Sequence, residues 1–357
     1  MIVGIDVSRG NSIERTGVEW YSFYLTQSLL DVLPSTSTTV LLYAPTAPVS
    51  DWRTLPTHCQ WTIVRGRFVW TQFHLNHELQ RHPPDRLFIP AYRLPPFLKT
   101  QTRSIVTIHD IGFISHPTVY SRYERLTQCW ILRNTLERAN AIIVPTQAVS
   151  DALGSLRGPK PPIHVISHGA PPIAQQLAHS IKNQLHFLYI GRIEVKKNIL
   201  TLLRAFEILS RQKGFEDLRL TLIGKPGYGS KEIKTQIDSS RGYVEWLGFC
   251  NEKRANEYRS QAQYLVLPSL IEGFGFPLLE AWQWGSVPIV SDIPPLREVG
   301  GDAAIYVEPT NLHAWVRTIM SLHSSTLERI IDQGKHRLHT FQWNRSAQMT
   351  AKVIINA

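Results

Sequence analysis

Short apolar runs alternate with longer amphipathic stretches along almost the whole chain, and no other feature restricts the fold so much. In the first half, strands are expected at Ile2–Val7, Thr39–Tyr43, Leu87–Pro90, Ser104–His109, Ala141–Pro145 and His164–Ser167. In the second half they are expected at His186–Ile190, Leu218–Ile223, Val244–Leu247, Tyr264–Leu267 and Pro288–Val290. Several of these runs are continuously apolar, the pattern of a strand covered on both faces. The intervening stretches carry a helical period. In "NILTLLRAFEILSRQ", Ile199, Leu202, Leu203, Phe206 and Leu209 fall on one stripe. Strand–helix–strand alternation predicts an α/β fold of parallel sheets with helices on both faces.

A chain of 357 residues has room for about two domains. The alternation breaks at "HGAPPIAQQLAHSIKNQ", His168–Gln184, where a proline pair and a polar stretch read as a linker. Two Rossmann-like domains facing each other across a cleft are expected, over residues 1–170 and 171–340. The last stretch, about 341–357, reads as a helix packing back on the first domain.

The net charge is +10, with 38 Lys and Arg against 28 Asp and Glu. These cations are scattered rather than massed in a tail, so nucleic acid is not the expected partner. Phosphorylated small molecules or an anionic membrane surface suit the charge better. Cys59, Cys129 and Cys250 lie far apart, with neither a disulfide framework nor a metal spacing, and fit a reducing compartment. "MIVGIDVSRG" lacks the form of a signal peptide, and no stretch of about 20 apolar residues spans a membrane. The expected location is cytoplasmic, with peripheral contact at the inner membrane face left open. His74 and His77 have no supporting cysteine or carboxylate cluster, so no metal site is assigned to them.

The chemistry concentrates in "IEGFGFPLLEAWQWGSVPIVSD", Ile271–Asp292. Glu272 and Glu280 bracket a glycine loop that follows a buried strand and leads into a helix, with Pro277 placed as the first helical residue. In open α/β sheets ligands bind beyond the carboxyl ends of strands. Gly273 and Gly275 allow close backbone approach and dihedrals that other residues resist. The N–H groups of Phe276, Leu278 and Leu279 lie in or beside the first turn, where the helix dipole favours a phosphate. Glu280, one turn in, suits two adjacent hydroxyls such as those of a ribose. Glu272 suits hydroxyls of whatever follows the phosphates. "YIGRIEVKKN" supplies the cations: Arg192 and Lys197 stand at a strand's carboxyl end, able to neutralise a diphosphate in place of a divalent metal. Lys196 reads as part of a solvated helix start. "GKPGYG", Gly224–Gly229, lacks the spacing of a dinucleotide fingerprint and reads as a loop near the nucleotide.

"GRIEVKKNILTLLRAF" and "PSLIEGFGFPLLEAWQWGSVPIVSDIPPLREVGGDAAIYVEP" resemble the signature segments of retaining glycosyltransferases of family 4, on the GT-B fold. "VTIHDIGFISHPTVYS", "IIVPTQAVSDAL" and "VISHGA" resemble first-domain segments of its mannosyltransferase-like members. The resemblance implies that Glu280 binds the donor ribose and Glu272 contacts the donor sugar. It assigns Arg192 and Lys197 to the diphosphate, His109 to the cleft floor beside the sugar, and Gly17 to a loop approaching the donor. Members often carry a second glycine after the one matched by Gly17, whereas this chain reads "TGVEWY", with Glu19 and Trp20.

The expected activity is retaining transfer of a hexose to an acceptor hydroxyl in glycan, polysaccharide or lipid-linked saccharide synthesis. GDP-mannose is the first donor and a UDP-sugar the second, with no metal and no further cofactor. A GT-B epimerase or phosphorylase is the alternative enzyme. A non-catalytic nucleotide-sugar or nucleic-acid binding protein ranks below these.

Overall fold

The computed structural model describes all residues except 99–100, 173–182, 241 and 323. Most of the linker expected at His168–Gln184 therefore lies outside the described residues. The chain divides into two compact units. One holds Met1–Ile114, Tyr123–Gly169 and Phe341–Ala357; the other holds Ser115–Arg122 and Ala170–Thr340.

The sheet of the first unit contains β1 (Ile2–Asp6), β2 (Thr39–Ala44), β3 (Cys59–Ile63), β4 (Arg86–Ile89), β5 (Arg103–Thr107), β6 (Ala141–Val144) and β7 (Ile163–Val165). Its order is β3-β2-β1-β4-β5-β6-β7, parallel throughout. Val3, Ile5, Leu42, Phe88, Ile105 and Ile142 are fully buried, as strands covered on both faces require. The final helix, Trp343–Asn356, completes this unit. The Ser346 hydroxyl donates to the Ser167 carbonyl at 2.6 Å, and Arg86 Nε donates to the Ile354 carbonyl at 3.1 Å. Gly169 admits no side chain there, because a Cβ would lie 2.4 Å from the Trp343 ring.

The second unit contains β8 (Asn183–Ile190), β9 (Arg219–Ile223), β10 (Val244–Trp246), β11 (Ala262–Leu267), β12 (Val287–Ser291) and β13 (Ile305–Val307). The order is β10-β9-β8-β11-β12-β13, again parallel. In each sheet the order reverses beside its first strand, between β1 and β4 and between β8 and β11. A crevice for ligands opens at such a switch point, beyond the carboxyl ends of the strands.

The architecture is α/β with two Rossmann-like domains, as the alternation predicts. All eleven expected strands are present, and β3 and β13 are additional. β3 is an edge strand whose last four residues are half-buried or exposed, so it lacks a continuous apolar run. β13 has only three residues, too few for a period to show.

Candidate active site

The segments that the sequence singles out in the second unit flank its switch point. Gly191–Lys197 leaves β8, and Ser269–Phe276 leaves β11. They are bonded to each other. The Leu270 amide donates to the Lys196 carbonyl at 2.9 Å. Lys197 Nζ donates to Glu272 Oε1 at 2.6 Å, and the Ser269 hydroxyl donates to the same oxygen at 2.7 Å. Both side chains of this ion pair are largely buried. Asn198 locks the junction from a left-handed backbone, φ +55°, which asparagine tolerates. Its amide donates to the carbonyls of Pro268 at 3.0 Å and Pro309 at 2.7 Å.

Glu280 stands on the helix Phe276–Gln283 and is anchored in the same manner. Arg259, from the neighbouring helix Glu252–Gln261, contacts Glu280 Oε2 through Nε at 3.0 Å and Nη2 at 2.9 Å. Its Nη1 donates to Glu252 at 3.0 Å and to Asn256 at 2.6 Å. Arg259 is buried; burial alone would pull its pKa down, but the two carboxylates outweigh this and raise it. Thus each glutamate is held through one oxygen by a largely buried cation. These bonds fall on Oε1 of Glu272 and Oε2 of Glu280.

Arg192 lies further out, with Nε 3.6 Å from Glu194 Oε2 and its side chain 55% exposed. Glu194 itself is buried, and Lys196 Nζ approaches its other oxygen at 3.6 Å. Lys196 is therefore not the solvated residue expected. It is mostly covered, and its ammonium also lies over the Tyr120 ring at 5.2 Å. The loop Gly224–Gly229 packs against this segment. Ile193 N–H donates to the Lys225 carbonyl at 2.9 Å, and Gly227 N–H to the Ile193 carbonyl at 2.8 Å. A Cβ at Gly227 would meet Glu194 Oε2 at 2.8 Å. Below the cations, the Tyr189 hydroxyl donates to the Arg192 carbonyl at 2.9 Å. Burial, and then the charges of Glu272 and Glu194, push the Tyr189 phenol well above its ordinary range.

The glycine loop departs from expectation in three details. Gly275, at φ +94°, carries the left-handed backbone, and Gly273 is not among the positive-φ residues. A Cβ on Gly275 would also lie 2.6 Å from Leu296 Cδ2. The helix begins at Phe276, so Pro277 is its second residue. The Leu278 amide donates to the Gly275 carbonyl at 3.0 Å and is thus engaged within the turn. Leu278 and Leu279 point their side chains into the core, so only their backbone faces the question of ligand binding.

His109 and Gly17 lie in the first unit. His109 Nε2 is 2.8 Å from the Pro90 carbonyl, which can only accept, so this nitrogen carries the proton. Its ring meets Tyr21 edge-on at 4.7 Å and His168 at 5.5 Å. Burial lowers the His109 pKa despite the Pro90 bond. It lowers that of His168 further, with help from His109. Gly17 opens the helix Gly17–Val32. Glu19 caps that helix: its carboxylate accepts from the Thr16 amide at 3.2 Å and from the Thr16 hydroxyl. Trp20 stacks on Tyr24 at 5.1 Å. The departure "TGVEWY" thus has a structural use in starting and packing this helix.

Sequence reasoning missed Arg259, Glu194, Asn198 and Ser269. Arg259 left one signal: it lies four residues after buried Ala255, on the inward face of its helix. Among the described residues, no group of three or more His, Cys, Asp or Glu side chains is arranged to hold a metal ion.

Residues 34–172 match the model for Glycosyltransferase Family 4, and residues 174–337 match that for Glycosyl transferases group 1. The chain is 26% identical over 283 residues to O-antigen chain mannosyltransferase B of Escherichia coli, covering 73% of this chain and 71% of that one. It is 24% identical over 241 residues to O-antigen chain mannosyltransferase RfbU of Salmonella typhimurium, covering 66% and 65%. Its fold is similar to sucrose-phosphate synthase of Thermosynechococcus elongatus, with TM-score 0.77 and 16% identity over 100% of this chain and 98% of that one. It is also similar to Anabaena Alr3699/HepE in complex with UDP and glucose, with TM-score 0.70 and 15% identity over 100% and 99%. Two family models that together span residues 34–337 almost without a break, on a fold shared along the full chain, make this protein a glycosyltransferase of family 4 with the GT-B architecture, similar to mannosyltransferases.

Proposed function

We propose that the protein transfers a hexose, with GDP-mannose as first donor, to an acceptor hydroxyl of a saccharide or lipid-linked saccharide, retaining the anomeric configuration. The reading is carried by the two glutamates, each anchored through a single oxygen at the switch point of the second unit. Oε2 of Glu272 and Oε1 of Glu280 take none of those anchoring bonds. They serve a donor whose hydroxyls lie on either side of a diphosphate. Glu280 takes the ribose and Glu272 the sugar. Arg192 and Lys197 hold the diphosphate, aided by the start of the Phe276–Gln283 helix, so no metal is required for that charge. His109 and Gly17 enter through the family resemblance alone.

In the reaction, the bond between the sugar's anomeric carbon and the phosphate oxygen breaks, and its electron pair passes to that oxygen. The acceptor oxygen bonds to the same carbon on the same face. Its proton passes to the departing phosphate. Lys197 and Arg192 stabilise the charge that grows on the diphosphate, while Glu272 orients the sugar.

Mannose and a polysaccharide product are supported by the two relatives named for O-antigen chain mannosyl transfer. A UDP-sugar is the second reading, favoured by the UDP and glucose bound to the Anabaena neighbour. The +10 charge supports peripheral contact with an anionic membrane at its cytoplasmic face. Among the described residues no helix is long and apolar enough to cross a membrane. The test is turnover of GDP-mannose and UDP-glucose with methyl α-mannoside as acceptor, the product anomer being read by NMR. An α-linked mannoside formed without free phosphate is expected. A β-linked product, or a reaction that consumes phosphate, would refute the reading.

A further inference from the structure

Two arginines of this chain grip a carboxylate across both of its oxygens. Nε and Nη2 of Arg297 reach Oδ1 and Oδ2 of Asp292, and Nη1 and Nη2 of Arg15 reach Oδ2 and Oδ1 of Asp51. Such parallel bonds are the strong, fork-to-fork form of the pair. Arg259 grips Glu280 differently. Its Nε at 3.0 Å and its Nη2 at 2.9 Å both meet Oε2, and Oε1 takes no part. A pair that only neutralised buried charge would gain from the second oxygen. Leaving that oxygen out suits a carboxylate with another partner to serve.

The guanidinium is itself fixed from behind. Nη1 carries two N–H groups. One donates to Glu252 Oε2 at 3.0 Å and the other to Asn256 Oδ1 at 2.6 Å. Both acceptors stand on the helix that carries Arg259, Glu252–Gln261, and the Asn251 side chain caps that helix by accepting from the Arg254 amide at 2.9 Å. The Arg259 side chain is 8% exposed and that of Glu280 14%, so water competes little for the bonds between them. A chain of contacts thus runs from Asn256 and Glu252, through the guanidinium, to one oxygen of Glu280.

We propose that Arg259 is a positioning residue for the nucleotide's ribose: by holding Oε2 of Glu280 from two nitrogens it aims Oε1 at the ribose hydroxyls, and so sets a preference for ribonucleotides over deoxyribonucleotides. This rests on the reading of Glu280 as the ribose ligand and adds what makes that ligand selective. A fixed oxygen is left unpaired when the ligand lacks its hydroxyl, and an unpaired polar group is what rejects such an analogue. A loose carboxylate turns to regain a bond and discriminates less. Lysine supplies the same charge as arginine but as a single point, without the fork that holds Oε2 and Asn256 together.

The test is calorimetric titration of the full chain with GDP and UDP and with their 2′,3′-dideoxy forms. For at least one base, wild type is expected to bind the ribonucleotide roughly tenfold or more tighter than the dideoxy form. In Arg259→Lys this ratio shrinks to about threefold or less, because the ribonucleotide weakens while the dideoxy form does not. Asn256→Ala, which leaves the ion pair intact, narrows the ratio by about twofold. A merely structural role for Arg259 would lower the binding-competent fraction, read from the stoichiometry, and leave the ratio unmoved. A wild type that binds both forms alike, or neither, refutes the ribose role of Glu280 and this inference with it. A wild type that discriminates, with Arg259→Lys discriminating equally, overturns the inference alone. Where Arg259→Lys does not fold, the ratio in Asn256→Ala decides in its place.

Discussion

The two units share a strand order around their switch points but fill those points with opposite chemistry. In the second unit the crevice is ringed by paired charges: Lys197 with Glu272, Arg259 with Glu280, and Arg192 and Lys196 beside Glu194. In the first unit the corresponding ground holds Tyr21, His109 and His168 ring against ring, with burial holding both histidines toward their neutral forms. One topology can thus present a charged cradle or a nearly neutral aromatic floor. A nucleoside diphosphate needs the first, since its phosphates carry formal charge. A neutral sugar hydroxyl needs no more than the second.

The comparison breaks most readily at Arg259. Removing one partner of a buried ion pair leaves an uncompensated charge, here that of Glu280, since Glu252 is 55% exposed and keeps its water. Arg259→Met is expected to lower unfolding stability by ~3–5 kcal/mol in denaturant titration. Adding Glu280→Gln should restore part of that loss. A single variant as stable as wild type would show that the charged ring is not structurally coupled.

Next comes Lys197→Ala. Loss of one preorganised group that stabilises transition-state charge costs ~10²–10³ in rate. Turnover with the donor should fall by that order while the fold, followed by circular dichroism, is kept. Near wild-type turnover would remove Lys197 from the chemistry and leave it a mere partner of Glu272.

The smallest effect belongs to the first unit. His168 and His109 have folded pKa values below the ordinary histidine value of about 6.5. The unfolded chain therefore binds more protons as pH falls below about 6.5, and stability declines there until the folded pKa is passed. His168→Gln should make stability less steep between about pH 7 and pH 5. An unchanged slope would place the acid sensitivity elsewhere.

Much of this contrast is legible in the sequence, for reasons that differ by residue. Buried strands such as Val287–Ser291 announce themselves because both faces are covered and every position but the last, Ser291, is apolar. Glu272 and Glu280 stand out because two acids bracket a glycine loop between a buried strand and a helix start. Arg259 does not, since its partners lie 7 and 21 residues away, and only the fold turns that helix face toward Glu280. Asn198 and Glu194 are silent for a similar reason. Each acts by clamping loops that are distant in sequence, Asn198 at Pro268 and Pro309 and Glu194 beneath Gly227. Glu19 follows Thr16 at capping-box spacing, so its structural role is written in the sequence at the place where the family resemblance shows only a missing glycine.

The central claim is that the charged crevice of the second unit receives a nucleoside diphosphate. Isothermal titration of GDP and UDP into the folded wild-type chain and into Lys197→Ala tests it most directly. The account predicts a saturable single-site heat for at least one nucleotide, weakened by about tenfold or more in the variant, equivalent to about 1.4 kcal/mol. Folded wild-type protein that ignores both nucleotides, or a variant that binds as tightly as wild type, would contradict it.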